Sequence, residues 1–407
     1  MQRLSPLENT IQHYAWGSRT ALAELQGRPA PTAQPEAELW MGAHPLAPSR
    51  VRTARGPLTL DALIRSDPEG LLGSRVEARF AGDLPFLLKV LAVERPLSLQ
   101  AHPTRQQAEA GFAREETLGI PGDAPQRSYR DRHHKPEMVC ALTPFRGLVG
   151  FRPATDVLCD FEALAPTGLA AEIGLLRAGP GPEGWRRAFQ SLLAAPRPRM
   201  AQALREACGR APTGPPRFDW LRRLAAFHPD DPGALAPLYL HLVQLAPGEA
   251  VFLAARELHC YLEGVAVEIM ASSDNVLRGG LTPKHVDAAE LLRVLRFEPA
   301  TPRLLRPGAR GKAVLAYPVR AEEFALDAVL LRAGSPLALR SDGPEILLCV
   351  EGSASVRDAG SENLVALGRG GSVLAPARVT DYTLEGEGRL FRARVPSETE
   401  WAGRDAA

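Results

Sequence analysis

Leu84-Pro85-Phe86-Leu87-Leu88-Lys89-Val90-Leu91-Ala92-Val93-Glu94-Arg95-Pro96-Leu97-Ser98-Leu99-Gln100 decides the fold class. Its short apolar runs, broken by Pro96, fit two buried strands joined by a turn, and no helix fits there. Residues 138–151, 239–243, 250–254 and 265–270 repeat the pattern, each bounded by Pro or Gly. They read as strands of a β-sandwich or small barrel. From 154 to 237 the text changes to longer amphipathic segments such as 184–194 and 199–207, rich in Ala, Leu and Arg. That pattern predicts a helical insertion. After Leu292 short strand-like runs return at 346–350, 353–356 and 372–374 between Gly-rich turns, which predicts a second small β domain. The fold class is therefore mainly β with an α insertion. The expected first unit is 1–153 with 238–295, the insertion 154–237, and the last unit 296–407.

The chain has 407 residues, 45% of them hydrophobic, enough to bury cores in two or three domains. Lys plus Arg number 48 against 47 Asp plus Glu, so no overall field favours nucleic acid or an anionic membrane. No apolar run reaches the length of a membrane span, and residues 1–9 lack the blocks of a secretory signal, so a cytoplasmic protein is expected. The five cysteines, Cys140, Cys159, Cys208, Cys260 and Cys349, are scattered without a CxxC and read as reduced thiols. Only Lys89, Lys135, Lys284 and Lys312 are lysines among 48 basic side chains. An ammonium whose pKa moves on burial is not replaced by a permanently charged guanidinium, so these four are candidates for chemistry, with Lys312 assigned to the surface. No histidine follows His285, which makes the last unit a poor home for a transition metal and confines chemistry to the first.

Four fragments carry that chemistry. In Leu97-Ser98-Leu99-Gln100-Ala101-His102-Pro103, alternation sends Ser98, Gln100 and His102 to one face of a strand. In Asp131-Arg132-His133-His134-Lys135-Pro136-Glu137, a charged run leads into an apolar strand, with Lys135 and Glu137 on one face. In Glu257-Leu258-His259-Cys260-Tyr261-Leu262, His259 and Tyr261 share a face and Cys260 turns away. One carboxylate, two imidazoles and an amide oxygen suit a borderline divalent ion such as Zn²⁺, with a position left for water or substrate. The fourth fragment, residues 271–285, is turn-rich and contains Asp274, Arg278 and Lys284, of which the last two can clamp a phosphate. Alone, each fragment reads as an ordinary strand edge or solvated loop.

Together they resemble the type I mannose-6-phosphate isomerase family. The resemblance rests on Gln100-Ala101-His102-Pro103, His134-Lys135-Pro136-Glu137, His259-Cys260-Tyr261-Leu262 and Ser273-Asp274-Asn275-Val276-Leu277-Arg278-Gly279-Gly280-Leu281-Thr282-Pro283-Lys284. Tyr14-Ala15-Trp16-Gly17-Ser18, residues 37–45 and residues 84–91 are similar too. It implies a cupin β-sandwich, or jelly roll, with an inserted helical domain and a second, degenerate cupin-like domain without a metal site. It places one zinc on Gln100, His102, Glu137 and His259 and an essential arginine at Arg278. Cys260, where the family commonly has Ala, and the lead-in Ala255-Arg256-Glu257-Leu258 depart from its pattern, and neither touches a ligand.

The implied reaction converts mannose 6-phosphate to fructose 6-phosphate through a cis-enediol, and the implied setting is carbohydrate metabolism leading to GDP-mannose. Arg278 is expected to span the site, with Lys284 as the phosphate partner and Ser98, Tyr261 and Asp274 as further substrate-binding candidates. The proton carrier stays open among Lys135, Glu268, His134 and a zinc-bound water. The expected partner is a small sugar phosphate, with no nucleic acid or membrane, and the chain is expected to act as a monomer or small homo-oligomer. Two other readings are a cupin with different metal chemistry, such as an Fe²⁺ oxygenase, and a non-catalytic sugar-phosphate-binding protein.

Overall fold

The computed structural model of the protein describes residues 3–54, 56–311 and 313–405, so Lys312 lies outside them. The fold is mainly β with helices between the strands, and the strands pair antiparallel. The segment that opened the sequence forms the strands Phe86–Val93 and Leu99–Ala101. Phe86–Val93 is buried along its whole length, Lys89 included. Glu38–Met41 flanks it on one side and the second half of His259–Ala271 on the other, which in turn pairs with Glu137–Ala141.

Strand alternation divides these side chains between two faces. Leu39, Met41, Leu88, Val90, Met138, Val267 and Ile269 pack with Leu60, Ile64 and Val76 from short helices and with Phe324, Ile346 and Phe391 from the later β region. Leu91, Val139 and Ala266 point the other way, toward Phe145 and Tyr261. Glu38, Lys89, Glu137 and Glu268 lie on this second face by the same alternation, and all four are buried. Burying four charges is affordable only if they are paired.

His259–Ala271 is one strand of 13 residues where the sequence marked only 265–270 as a strand. It bends at Gly264, whose φ is +117° and where a Cβ would lie 2.7 Å from the Pro144 carbonyl oxygen. Only glycine fits both demands. Before the bend the strand pairs with Phe145–Phe151 and Leu99–Ala101, and Leu277–Gly280 adds beyond the latter. One continuous strand therefore joins both groups of strands around the site.

The helices Ala154–Leu164, Ala170–Ala178, Pro182–Leu193, Arg197–Arg210 and Pro216–Phe227 follow one another between the strands Phe145–Phe151 and Leu240–Leu245. Phe151 anchors them, with ring centroids 5.1 Å from Trp185, 5.5 Å from Phe189 and 5.3 Å from Phe297. Such a fully buried aromatic contributes about 1.5–3 kcal/mol. In the later β region the 14-residue strands Glu345–Asp358 and Asp381–Arg394 pair along their length. Residues 5–8, 50–53 and 56–59, expected within the first unit, join this later sheet instead, through Ser5 opposite Leu374, Leu7 opposite Val51 and Val51 opposite Leu58. Pairing across hundreds of residues leaves no periodic trace in the sequence. No helix is long and apolar enough to cross a membrane among the described residues.

Candidate metal centre

Strand register places His259 opposite Gln100 and Gln100 opposite Arg278. Residues directly opposite on antiparallel strands project to one face, so the three form a row across neighbouring strands. His102 follows the end of Leu99–Ala101, and Glu137 opens the strand Glu137–Ala141 just after Pro136. His102 Nε2 lies 3.3 Å and His259 Nε2 3.5 Å from Glu137 Oε2. Potential ligand atoms of the three buried residues all fall within 4.8 Å of one another.

Proton positions show what this cluster lacks. His102 Nδ1 sits 2.8 Å from the Asn275 carbonyl oxygen, and His259 Nδ1 sits 3.0 Å from that of Glu257. A carbonyl only accepts, so each Nδ1 carries the proton and each Nε2 presents a lone pair. Neither Nε2 can then donate to the carboxylate, and His102 Nε2 is buried without a hydrogen-bond partner. Burial holds the His102 pKa down to about 4, which keeps the ring neutral. Burial pushes Glu137 up, but the Lys135 ammonium opposes it and holds the carboxyl well below its usual range. Two lone pairs and one carboxylate thus converge with no proton between them, a donor set for a cation. Gln100 lines the same cavity as Glu137 and His259, and its Nε2 donates to Ser98 Oγ at 3.2 Å. Nitrogen and oxygen donors of this kind fit zinc.

The remaining charges pair around it. Lys135 Nζ lies 3.1 Å from Glu137 Oε1. Lys89 Nζ lies between Glu38 Oε2 at 3.2 Å and Glu268 Oε2 at 3.3 Å. Tyr261 donates to Glu268 Oε1 at 3.0 Å, and Trp40 Nε1 donates to Glu38 Oε2 at 2.5 Å. Burial works against the Lys89 ammonium, yet Glu38 and Glu268 outweigh it and raise its pKa, so this lysine stays charged. Glu268 is shifted upward, chiefly by burial, against the pull of Lys89. Three carboxylates face two ammonium groups, so a divalent ion turns the surplus from negative to positive, which favours an anionic substrate.

Of the residues singled out in the sequence, Lys89, Ser98, Gln100, Lys135, Glu137, His259, Cys260, Tyr261 and Glu268 line one cavity of about 80 Å³. Cys260 turns its Sγ to the Leu97 carbonyl at 2.9 Å, away from the ligand atoms. Asp274 faces another cavity, of about 490 Å³, where His44 Nε2 lies 3.4 Å from its carboxylate. That cavity is the larger, but it has no such convergence of lone pairs. His134 leaves the site for Glu323, 2.6 Å from its Nε2. Arg278 is half-buried in its row beside Gln100, and Lys284 is exposed. Lys89 stood out as one of four lysines, but its partnership with Glu38, Trp40 and Glu268 depends on register across three strands.

A family model, phosphomannose isomerase type I, catalytic domain, matches residues 4–154. The mannose-6-phosphate isomerase of Escherichia coli K12 is 42% identical over 394 residues, 96% of this chain and 99% of that protein. The human mannose-6-phosphate isomerase is 33% identical over 410 residues, 91% of this chain and 92% of its own. A solved structure of mannose 6-phosphate isomerase from Salmonella typhimurium, bound to its substrate F6P and zinc, superposes with a TM-score of 0.90 at 40% identity, covering 97% of this chain and 100% of that one. A zinc-bound holo structure of mannose 6-phosphate isomerase matches equally well, with a TM-score of 0.90. With such identity over nearly its whole length, this chain belongs to the type I mannose-6-phosphate isomerase family.

Proposed function

We propose that this protein interconverts mannose 6-phosphate and fructose 6-phosphate through a cis-enediol, with one zinc held by Gln100, His102, Glu137 and His259. The observation that carries the reading is the unprotonated convergence of His102 Nε2, His259 Nε2 and the Glu137 carboxylate beside Lys135. Zinc bound there supplies a Lewis acid that lowers the barrier to removing the proton next to the sugar carbonyl.

The chain's own residues do the rest. Lys135 carries the proton between C2 and C1, because both oxygens of its rival Glu268 are committed, one to Lys89 and one to Tyr261. Tyr261 and Lys89 hold that carboxylate still, and Ser98 orients the Gln100 amide. Arg278, in line with Gln100, spans from the enediolate oxygens toward the phosphate, and Lys284 binds the phosphate. Asp274 orders the rim through His44. The catalytic unit, 1–153 with 238–295, is read as a cupin β-sandwich. Residues 154–237 are its helical insertion, and 296–407 a second cupin-like unit that takes strands from 5–8, 50–53 and 56–59. The cytoplasm is the expected setting.

The test couples metal analysis of the purified protein to a mannose 6-phosphate isomerisation assay before and after chelation. Activity should follow zinc content and return on reloading. Fully zinc-loaded protein without isomerase activity would refute the reading.

A further inference from the structure

Lys135 lies outside regular structure: the chain from 118 to 136 runs irregularly between the helix Arg105–Thr117 and the strand Glu137–Ala141. A side chain that must meet substrate within hydrogen-bond reach needs its backbone fixed. Before Lys135, the fully buried Asn275 does so. Its Oδ1 accepts from the backbone N–H of Arg130 at 2.7 Å and of Asp131 at 3.2 Å, and its Nδ2 donates to the His133 carbonyl oxygen at 2.8 Å. After Lys135, the Pro136 carbonyl oxygen accepts from the Ala271 N–H at 3.1 Å. Between these anchors the hold passes to one side chain, that of His134.

His134 reaches across to Glu323 in the later β region, where its Nε2 lies 2.6 Å from Oε1. Burial pushes the Glu323 carboxyl up, but the hydrogen bond from His134 opposes it and holds its pKa below the ordinary carboxylate value. A carboxylate only accepts, so His134 Nε2 carries the proton and donates it. Arg105 Nη2 donates to the same Oε1 at 3.1 Å. Arg105 stands three residues after His102, and His134 directly precedes Lys135. One carboxylate oxygen thus joins the segment that leaves a metal ligand to the segment that carries the proton donor. The carboxylate is itself well fixed. Glu323 is 6% exposed, and the next residue, Phe324, is fully buried in one core with Leu39, Met41 and Val267.

We propose that Glu323 is a positioning residue for the isomerisation, through which the later β region fixes His134 and so aims Lys135 at the substrate. The inference rests on the role given to Lys135 above. His134 is held outward at Glu323 while Lys135, next to it, faces Glu137 at 3.1 Å. Glu323 Oε2 is buried without a hydrogen-bond partner among the described residues. Glu323→Gln can therefore keep the acceptor oxygen that both His134 and Arg105 use and lose no hydrogen bond.

The experiment compares the zinc-loaded wild-type enzyme with Glu323→Ala, Glu323→Gln and His134→Ala, each alone and combined with Lys135→Arg. It measures kcat and KM for mannose 6-phosphate, zinc content and the urea midpoint. Releasing the segment beside the reacting group should lower kcat by about tenfold in Glu323→Ala, with KM within about twofold of wild type and zinc content unchanged. Glu323→Gln should restore most of that kcat. His134→Ala removes the same contact from the loop side, should show the same loss, and carries the test if Glu323→Ala does not fold. In the Lys135→Arg background neither Ala variant should slow turnover further, because the group they misplace is already gone. Wild-type kcat in both Ala variants, a change confined to KM, a kcat loss that tracks lost zinc, or a full further loss on top of Lys135→Arg overturns the proposal. Normal turnover in Lys135→Arg alone removes Lys135 as proton carrier and the proposal with it, whereas a slow Lys135→Arg beside unaffected Ala variants refutes the Glu323 role only.

Discussion

Replacing Lys89 with Met tests whether the buried charges hold the site together. Lys89 is 6% exposed and lies 3.2 Å from Glu38 and 3.3 Å from Glu268, which are 7% and 3% exposed. Removing one partner from a buried ion pair leaves an uncompensated charge and costs about 3–5 kcal/mol. That is a large part of the 5–15 kcal/mol that typically separates folded from unfolded states. The loss should depend on pH, because burial already shifts Glu268 upward and Lys89 is the first charge opposing that shift. Without Lys89 its folded pKa rises further above the unfolded value of about 4.3. A carboxyl raised in the folded state favours folding below its unfolded pKa, and this contribution is lost as pH rises through the folded pKa. The Lys89→Met deficit should therefore be smaller near pH 5 and largest near pH 8. Urea titration of wild type and variant at both values measures it, with Lys89→Met/Glu268→Gln as the second arm. The double variant should be more stable than Lys89→Met at pH 8, because the stranded carboxylate is gone. Equal urea midpoints for wild type and Lys89→Met at pH 8, or the same deficit at both pH values, would refute the reasoning.

Lys135→Arg keeps a positive charge beside Glu137 but cannot give up its proton, so kcat should fall at least about a hundredfold with zinc content intact; a normal turnover rate would remove Lys135 as proton carrier. Lys284→Gln should mainly raise KM for mannose 6-phosphate, and steady-state kinetics showing a pure loss of kcat would contradict a phosphate role. Gly264→Ala forces a Cβ to 2.7 Å from the Pro144 carbonyl oxygen at φ +117°, so its urea midpoint should drop by the equivalent of about 3 kcal/mol. An unchanged midpoint would mean that the bend relaxes without cost.

The strands were legible wherever an apolar run met a Pro or Gly break, because a fully buried strand must be apolar on both faces. Alternation also turned Cys260 away from His259 and Tyr261, and its Sγ does meet the Leu97 carbonyl on the far side. The helix Arg105–Thr117 escaped for the opposite reason. It buries only Ala108, Gly111 and Glu115, so no apolar stripe marks it, although Thr104 and Gln107 form a capping box at its start. Gly111 is small because the ring of Tyr129 lies where a Cβ would be, 2.5 Å away. In the site, the family resemblance singled out Gln100, His102, Glu137 and His259, and the structure brings His102, Glu137 and His259 within 4.8 Å of one another. Partnership between side chains was harder to read. Asp274 and Arg278 share a face by alternation, yet Asp274 turns to His44 while Arg278 stands in the row with Gln100 and His259. Lys89 shares a row with Trp40 and Glu268, and only strand order could show that its charge is spent on Glu38 and Glu268 rather than offered to substrate. A single strand thus supplies both rows, His259 before its bend and Glu268 after it. Gly264, where the strand changes partners, therefore sets how His259 faces Glu268.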